Sequence, residues 1–316
     1  MAQTLTSSIV CLAITGGLVA ATRSAAAPAV DFVQPRTREV NVTVIDKAGA
    51  PVTDLTAADL EVKVGGKTQA VVSVTQTTAP LRIALLVADA GTGIFQFGLQ
   101  RLMQKLLGRA EFSLTSVVVQ PERIFDYSDD VQALRAGLNR VGSRGVQRGA
   151  QLMEAIQDAT MSVPSETRRP VIVVMRVGGE SPSSLAASDV RTQLRNSGAV
   201  LYVLSTAGAE RGASSSPSPS VATDPRSQQS VFDHSDVVES ASNLAQVLGE
   251  GSKESGGRYE QIVAATMAVS LERLADELTH QYQVTYTVPE NVKTGDRLSV
   301  SPKRKGLTVR APARRH

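Results

Sequence analysis

Tryptophan is absent from the 316 residues, cysteine occurs once, and there are three histidines, five tyrosines and six phenylalanines. With so few rings, the stacking platforms that bind sugars, single-stranded nucleic acid or trimethylammonium groups are missing. Cys11 alone forms no internal disulfide and no cysteine metal site. His234, His280 and His316 are distant from one another in sequence, which argues against a histidine metal cluster. Charge of one sign is lacking too: 33 Lys and Arg face 30 Asp and Glu, a formal net charge of +3, so nothing favours a nucleic-acid partner. What excess there is gathers near the end, at Lys303, Arg304, Lys305, Arg310, Arg314 and Arg315, and reads as a solvated basic tail. The remainder is ordinary, with 42% hydrophobic and 20% charged residues, the composition of a chain with a packed core.

The run from Ile9 to Ala21 is apolar and uncharged, and Ser24-Ala-Ala-Ala27 follows it with small residues. This pattern reads as a signal peptide over residues 1–27. The run falls short of the roughly 20 apolar residues of a membrane span. Cleavage removes Arg23 and no acid, taking the charge from +3 to +2. The expectation is a secreted or periplasmic protein with no membrane span in its mature chain.

Residues 38–80 read as an N-terminal β-rich module. Val40 to Ile45 alternates with period two, Asp46 to Pro51 marks a turn, and Leu60 to Val64 alternates again. Gly65-Gly66 is a two-residue turn into a strand around Ala70–Val74, and Thr56-Ala-Ala-Asp59 reads as a short helical turn. Residues 281–316 supply alternating strands at Tyr282–Val288 and Leu307–Ala311, then the tail. Neither half has strands enough to stand alone, so the two are expected to pair into one module.

Residues 81–280 follow another rule. Ile83–Ala88, Pro170–Val177 and Val200–Ser205 are continuous apolar runs, as strands buried on both faces require. Phe112–Val119 and Arg123–Tyr127 read as a strand pair. Helical periodicity marks Leu99–Leu106, a segment capped by Asp129-Asp130 and running to Val141, Gln151–Met161, Leu185–Asn196, Val237–Leu248 and Ser270–Leu278. Strand and helix alternate, which predicts an α/β fold with a doubly wound, mostly parallel sheet. Residues 207–230, rich in Ser and Pro, read as a disordered insertion.

Chemistry is sought where a buried strand meets a helix, at Leu85-Leu-Val-Ala-Asp89-Ala-Gly-Thr-Gly93, because ligands of open α/β sheets bind outside the carboxyl ends of the strands. Gly91-Thr-Gly93 resembles the start of a dinucleotide-binding loop, but Gln96 stands where the third glycine belongs. A nucleotide-dependent or unrecognised enzyme using the Gly91–Gly93 loop is therefore the alternative function. Ser162, Ser205 and Ser215 lack a nucleophile-elbow sequence. Asp233-His234-Ser-Asp236 reads as a solvated loop cluster, His280 as a helix-terminus residue, and Tyr282 and Tyr286 as packing residues on one strand face.

The order Val42-Thr-Val-Ile-Asp46-Lys-Ala-Gly-Ala-Pro-Val52, Leu55-Thr-Ala-Ala-Asp59-Leu-Glu-Val62, Gly66-Lys-Thr-Gln69, the Asp89 junction, Gly256-Gly-Arg258 and Leu274-Ala-Asp-Glu-Leu-Thr-His-Gln-Tyr282-Gln-Val-Thr-Tyr286 resembles the bacterial secreted von Willebrand factor type A-related family from Val40 to Ala311. The resemblance implies the von Willebrand A fold and a non-enzymatic protein-binding or adhesion role, with a protein partner. It also implies where a magnesium site would lie: an Asp-x-Ser-x-Ser at the first strand end, with a Thr and an Asp from two later loops. Asp89 matches the first Asp, but Gly91 and Gly93 hold the serine positions and Thr92 is one residue out of register. Ala150 takes the place of the Thr and Val177 that of the second Asp, with Glu180 three residues further on. The site is thus degenerate, and neither metal nor cofactor is expected. Asp89, Gly91, Thr92, Gly93, Ala150, Val177 and Glu180 remain as a smaller, more apolar binding face at an exposed strand end.

Overall fold

The computed structural model describes residues 36–141, 150–179, 181–206, 226–288 and 296–313, with only the backbone for 226–235. The expected signal peptide, residues 207–225 of the expected insertion, Glu180 and the end of the basic tail lie outside the described residues.

Strand β1 (Thr37–Ile45) opens the described chain, followed by β2 (Leu60–Val64), β3 (Lys67–Gln69) and β4 (Val71–Gln76). Next come β5 (Leu81–Ala88), α1 (Gln96–Leu106), β6 (Ala110–Val117), β7 (Pro121–Ser128), α2 (Val131–Leu138) and α3 (Leu152–Ser162). The chain continues through β8 (Arg169–Val177), α4 (Ala187–Ser197), β9 (Val200–Thr206) and α5 (Arg226–Gln246). A π-helical turn at Val247–Gly251 leads into the single turn α6 (Ser252–Glu254), β10 (Arg258–Ile262) and α7 (Met267–Thr279). β11 (Tyr282–Thr287), β12 (Leu298–Pro302) and β13 (Thr308–Arg310) complete the described chain.

The central sheet has the order β10-β9-β8-β5-β6-β7, parallel throughout except for β7, which runs antiparallel to β6. Counted outwards from β5, this is the doubly wound order with its switch point between β5 and β8. The continuous apolar runs follow from burial on both faces. Leu81, Ile83, Leu85 and Val87 of β5 enter one core with Leu102 of α1, Leu134 of α2 and Leu274 of α7. Ala84, Leu86 and Ala88 enter the opposite core with Ile156 of α3, Val190 of α4 and Leu244 of α5. Each leucine buried in this way contributes about 1.5–3 kcal/mol. The helices obey their spacing: Leu99, Leu102, Met103 and Leu106 form the buried stripe of α1, and Asp130 caps α2 by accepting from the Gln132 amide at 2.8 Å.

Two antiparallel sheets, β13-β1-β11-β4 and β12-β2-β3, are built from both ends of the chain. β1 lies between β11, which takes Thr37 to Val42, and β13, which takes Thr43 to Ile45. β12 pairs with β2 from Leu298↔Val64 to Pro302↔Leu60. Val42, Val44, Leu60, Val62, Tyr282, Val284 and Tyr286 form the core shared by the two sheets.

Three features differ from the sequence reading. β10 and β12 carried no strand signal of their own: Arg258-Tyr-Glu-Gln-Ile262 is mostly polar and lies on an edge, and Leu298-Ser-Val-Ser-Pro302 is short. Helix α5 begins at Arg226, inside the expected 207–230 insertion, since no Gly or Pro interrupts the chain from there to Leu248. Helix α2 stops at Leu138 rather than Val141, its last amide bonds being closed by Asn139.

The edge strand β10 needs a glycine before it. A Cβ on Gly257 would stand 2.0 Å from the Leu201 carbonyl oxygen of β9, so only hydrogen fits where the two backbones meet.

Candidate functional site

The switch point between β5 and β8 sets the geometry. Ala88 pairs with Arg176 across the two strands, so Asp89 and Val177 leave the sheet side by side at the crevice where ligands of this fold class bind. The loop after Asp89 turns through three left-handed residues, Ala90, Gly91 and Gly93, with φ of 54°, 77° and 69°. Ala90 bears a Cβ there, a conformation that costs energy and that surrounding bonds must hold.

Asp89 supplies those bonds. Its Oδ1 accepts from the Gly91 amide at 2.9 Å and its Oδ2 from the Gly93 amide at 2.8 Å. Its carbonyl accepts from the Thr92 amide at 3.1 Å and the Thr92 hydroxyl at 2.8 Å. Expected at an exposed strand end, Asp89 is 0% exposed. The carboxylate thus closes its own loop, and the Gly91 and Gly93 amides point at Asp89, where a pyrophosphate-binding loop would turn them outward. Thr92 and Phe97 are exposed, Phe97 by 60%, and Gly91 and Gly93 are half-buried. The Arg101 guanidinium lies 5.3 Å from the centre of the Phe97 ring.

The other expected face residues divide between two loops. Val177 is half-buried and packs on the α1–α7 core, and the Gly178 amide donates to the Thr206 carbonyl at 3.1 Å. Ala150 precedes α3, and its carbonyl accepts from the Ser181 hydroxyl, which in turn accepts from the Leu152 amide at 3.2 Å. Asp89, Gly91 and Gly93 therefore form one closed turn, with Val177 beside it by strand register. Ala150 is tied to the loop after β8. No group of three or more His, Cys, Asp and Glu with metal-holding geometry occurs among the described residues.

The weaker candidates take structural places. His280 Nδ1 donates to the Asp276 carbonyl at 2.7 Å, at the end of α7. Tyr282 and Tyr286 are buried in the module core. In the Asp233–Asp236 cluster, only Asp236 has a described side chain, and it is exposed.

Sequence reasoning missed a polar wall beside this crevice. The Ser183 hydroxyl donates to Glu154 Oε1 at 2.7 Å, and the Ser240 hydroxyl donates to the Ser183 carbonyl at 2.9 Å. The second carboxylate oxygen, Glu154 Oε2, is buried and has no partner among the described residues. In sequence, Glu154 reads only as a first-turn helix acid, and Ser181-Pro-Ser-Ser184 only as a loop. Their convergence with α5 across dozens of residues leaves no local signal.

No protein-family model and no curated protein matches the chain. Among solved structures it is similar to the conserved hypothetical protein BatB from Bacteroides thetaiotaomicron, at 14% identity over 63% of this chain and 97% of that one, with a TM-score of 0.44. It is also similar to the vWF domain of the type V pili tip protein Mfa5 from Porphyromonas gingivalis, at 9% identity over 64% and 96%, TM-score 0.43. A von Willebrand factor type A structure from Catenulispora acidiphila matches at 10% identity over 87% and 71%, TM-score 0.42. The doubly wound class itself is given by the strand order of this chain.

Proposed function

We propose that this chain is a non-enzymatic, extracytoplasmic protein-binding module of von Willebrand A type, an adhesion or scaffold component that engages its partner without a metal ion. The observation that carries the reading is the commitment of both Asp89 carboxylate oxygens to the Gly91 and Gly93 amides. Magnesium seeks an octahedron of oxygens at about 2.0–2.1 Å. Both Asp89 oxygens already serve the loop amides, so a metal at either one competes with an amide, at about 1–3 kcal/mol for a group left unsatisfied. Gly91, Gly93 and Ala150 offer no hydroxyl in compensation, and Val177 no second carboxylate. The same loop and the first turns of α1 present exposed Ile94 and Phe97 with Arg101 over the Phe97 ring, an apolar centre with a polar rim such as interfaces use.

Calorimetry of the chain lacking residues 1–27, with magnesium and manganese at millimolar concentration and Asp89→Ala as control, tests the metal-free reading. No saturable heat is expected. Saturable binding lost in Asp89→Ala overturns it and points to Thr92 or Glu180 as a recruited ligand. Crosslinking in the native envelope tests the protein-binding reading: the same partner should be recovered with and without chelator, and lost in Phe97→Asp. Turnover of simple esters, or a thermal shift with NAD or ATP, abolished by Asp89→Ala would replace the module with an enzyme.

A further inference from the structure

Helix α5 forms one wall of two adjoining hollows that share Pro182, Val237 and Ser240. The first, about 440 Å³, is apolar, floored by Ala241, Leu244, Ala245 and Leu248 with Tyr259 at its side. Val237 and Tyr259 remain 47% and 44% exposed there. The one cation among its described lining residues, Arg176, donates to the Gly179 carbonyl at 2.8 Å. The second hollow, about 580 Å³, is acidic: Glu154, Asp236 and Glu239 line it with Gln151, Asn243 and Ser183, and no lysine or arginine does among the described residues. Here too lies the buried Glu154 Oε2, which lacks a partner among the described residues. An acceptor buried without a donor carries a desolvation cost that an incoming donor removes, and a cationic donor removes it best.

We propose that this groove binds an extended segment of a partner protein in which an aliphatic side chain is followed closely by an arginine. The aliphatic group fills the hollow over Leu244 and Leu248, and the guanidinium enters the acidic half among the Glu154, Asp236 and Glu239 side chains. The charge complementarity sets the choice of occupant, since three carboxylates with no base among the described lining residues favour a cation and disfavour an acidic segment. The size of the apolar half suits one side chain and its neighbours. The proposal rests on the protein-binding reading above and adds to it the partner's chemistry and a second contact, beside the strand-end loop.

Fluorescence polarisation with labelled, end-capped peptides carrying leucine followed by arginine tests it, against the same peptides with citrulline or glutamate in place of arginine. Saturable binding of the arginine peptide is expected. The citrulline peptide, a neutral near-isostere, should bind at least about tenfold more weakly, and salt should weaken the arginine peptide. Glu154→Gln should weaken binding about fivefold or more. Ala245→Arg, a change at an exposed position in the floor, should abolish it while leaving the melting temperature unchanged. Equal affinity for arginine and citrulline, or unaltered binding by Ala245→Arg, overturns the proposal. So does concentration-dependent dimerisation lost in Ala245→Arg, which would make a second copy the occupant. A crosslinked partner lost in Phe97→Asp but kept in Ala245→Arg removes the groove and leaves the protein-binding reading standing. Absence of any crosslinked partner removes that reading instead.

Discussion

Glu277 of α7 and Arg310 of β13 are joined by an ion pair almost wholly out of solvent, with the Glu277 side chain only 1% exposed. The other oxygen of the same carboxylate pairs with Arg258 of β10. One buried charge therefore ties the edge of the six-stranded sheet to the last strand of the module. Burial works against the Arg258 charge, but Glu277 and Glu260 outweigh it and hold its pKa above the usual arginine value.

Breaking this triad from the centre should cost more than trimming its end. Glu277→Gln leaves two guanidinium groups facing a neutral amide in a buried site, and about 3–5 kcal/mol of stability is expected to go. Urea denaturation measures it. A loss of less than about 1 kcal/mol would mean that water reaches the pair.

Asp89→Ala should destabilise through the loop it closes. Removing the carboxylate strands the Gly91 and Gly93 amides, and about 2–4 kcal/mol is the expected loss. Asp89→Asn keeps one acceptor oxygen and should lose less. Thermal melts of the two variants give the order, and equal losses would show that charge, and not acceptance, holds the turn.

Two glycine substitutions should act in opposite directions. Gly257→Ala pushes a methyl group into the Leu201 carbonyl and should cost at least about 1–3 kcal/mol, as overpacking does. Gly249→Ala meets nothing within 4 Å and should be neutral or stabilise by about 0.4–1 kcal/mol through the unfolded chain. Paired chemical denaturation curves decide both, and a tolerated Gly257→Ala would mean that β10 shifts freely along β9.

Acid should act through Glu254. Burial raises its pKa, but Arg191 and Arg195 on α4 overcome this and hold it below the ordinary 4.5. Because the folded value is the lower one, the contribution is present above pH 4.5 and is lost as pH falls through the folded value. The site is partly solvated, so under about 1 kcal/mol is expected. Glu254→Gln should be less stable than the parent at neutral pH and converge with it in acid. A gap that is constant with pH would rule out the carboxylate's charge as its source.

The sequence by itself determined the local features and the fold class. Apolar runs such as Ile83–Ala88 require burial on both faces, a requirement read from the run itself. The spacing of Leu99, Leu102, Met103 and Leu106 sets a helix stripe wherever that helix packs. Even the candidate loop was marked by its Asp and glycines. Only the tertiary structure decided what those residues do. Whether Asp89 faces a ligand or its own amides depends on how deeply β5 sits in the sheet. The register of β12 against β2 joins residues more than two hundred positions apart, a choice made by the packing of Val62 and Leu298 against the shared core. Glu277 meets Arg310, and Glu154 meets Ser183 beside α5, for the same reason. Periodicity is a property of neighbouring residues, whereas the partner of a buried charge or an edge strand is selected by the summed packing of elements remote in the chain, to which no short window of sequence has access.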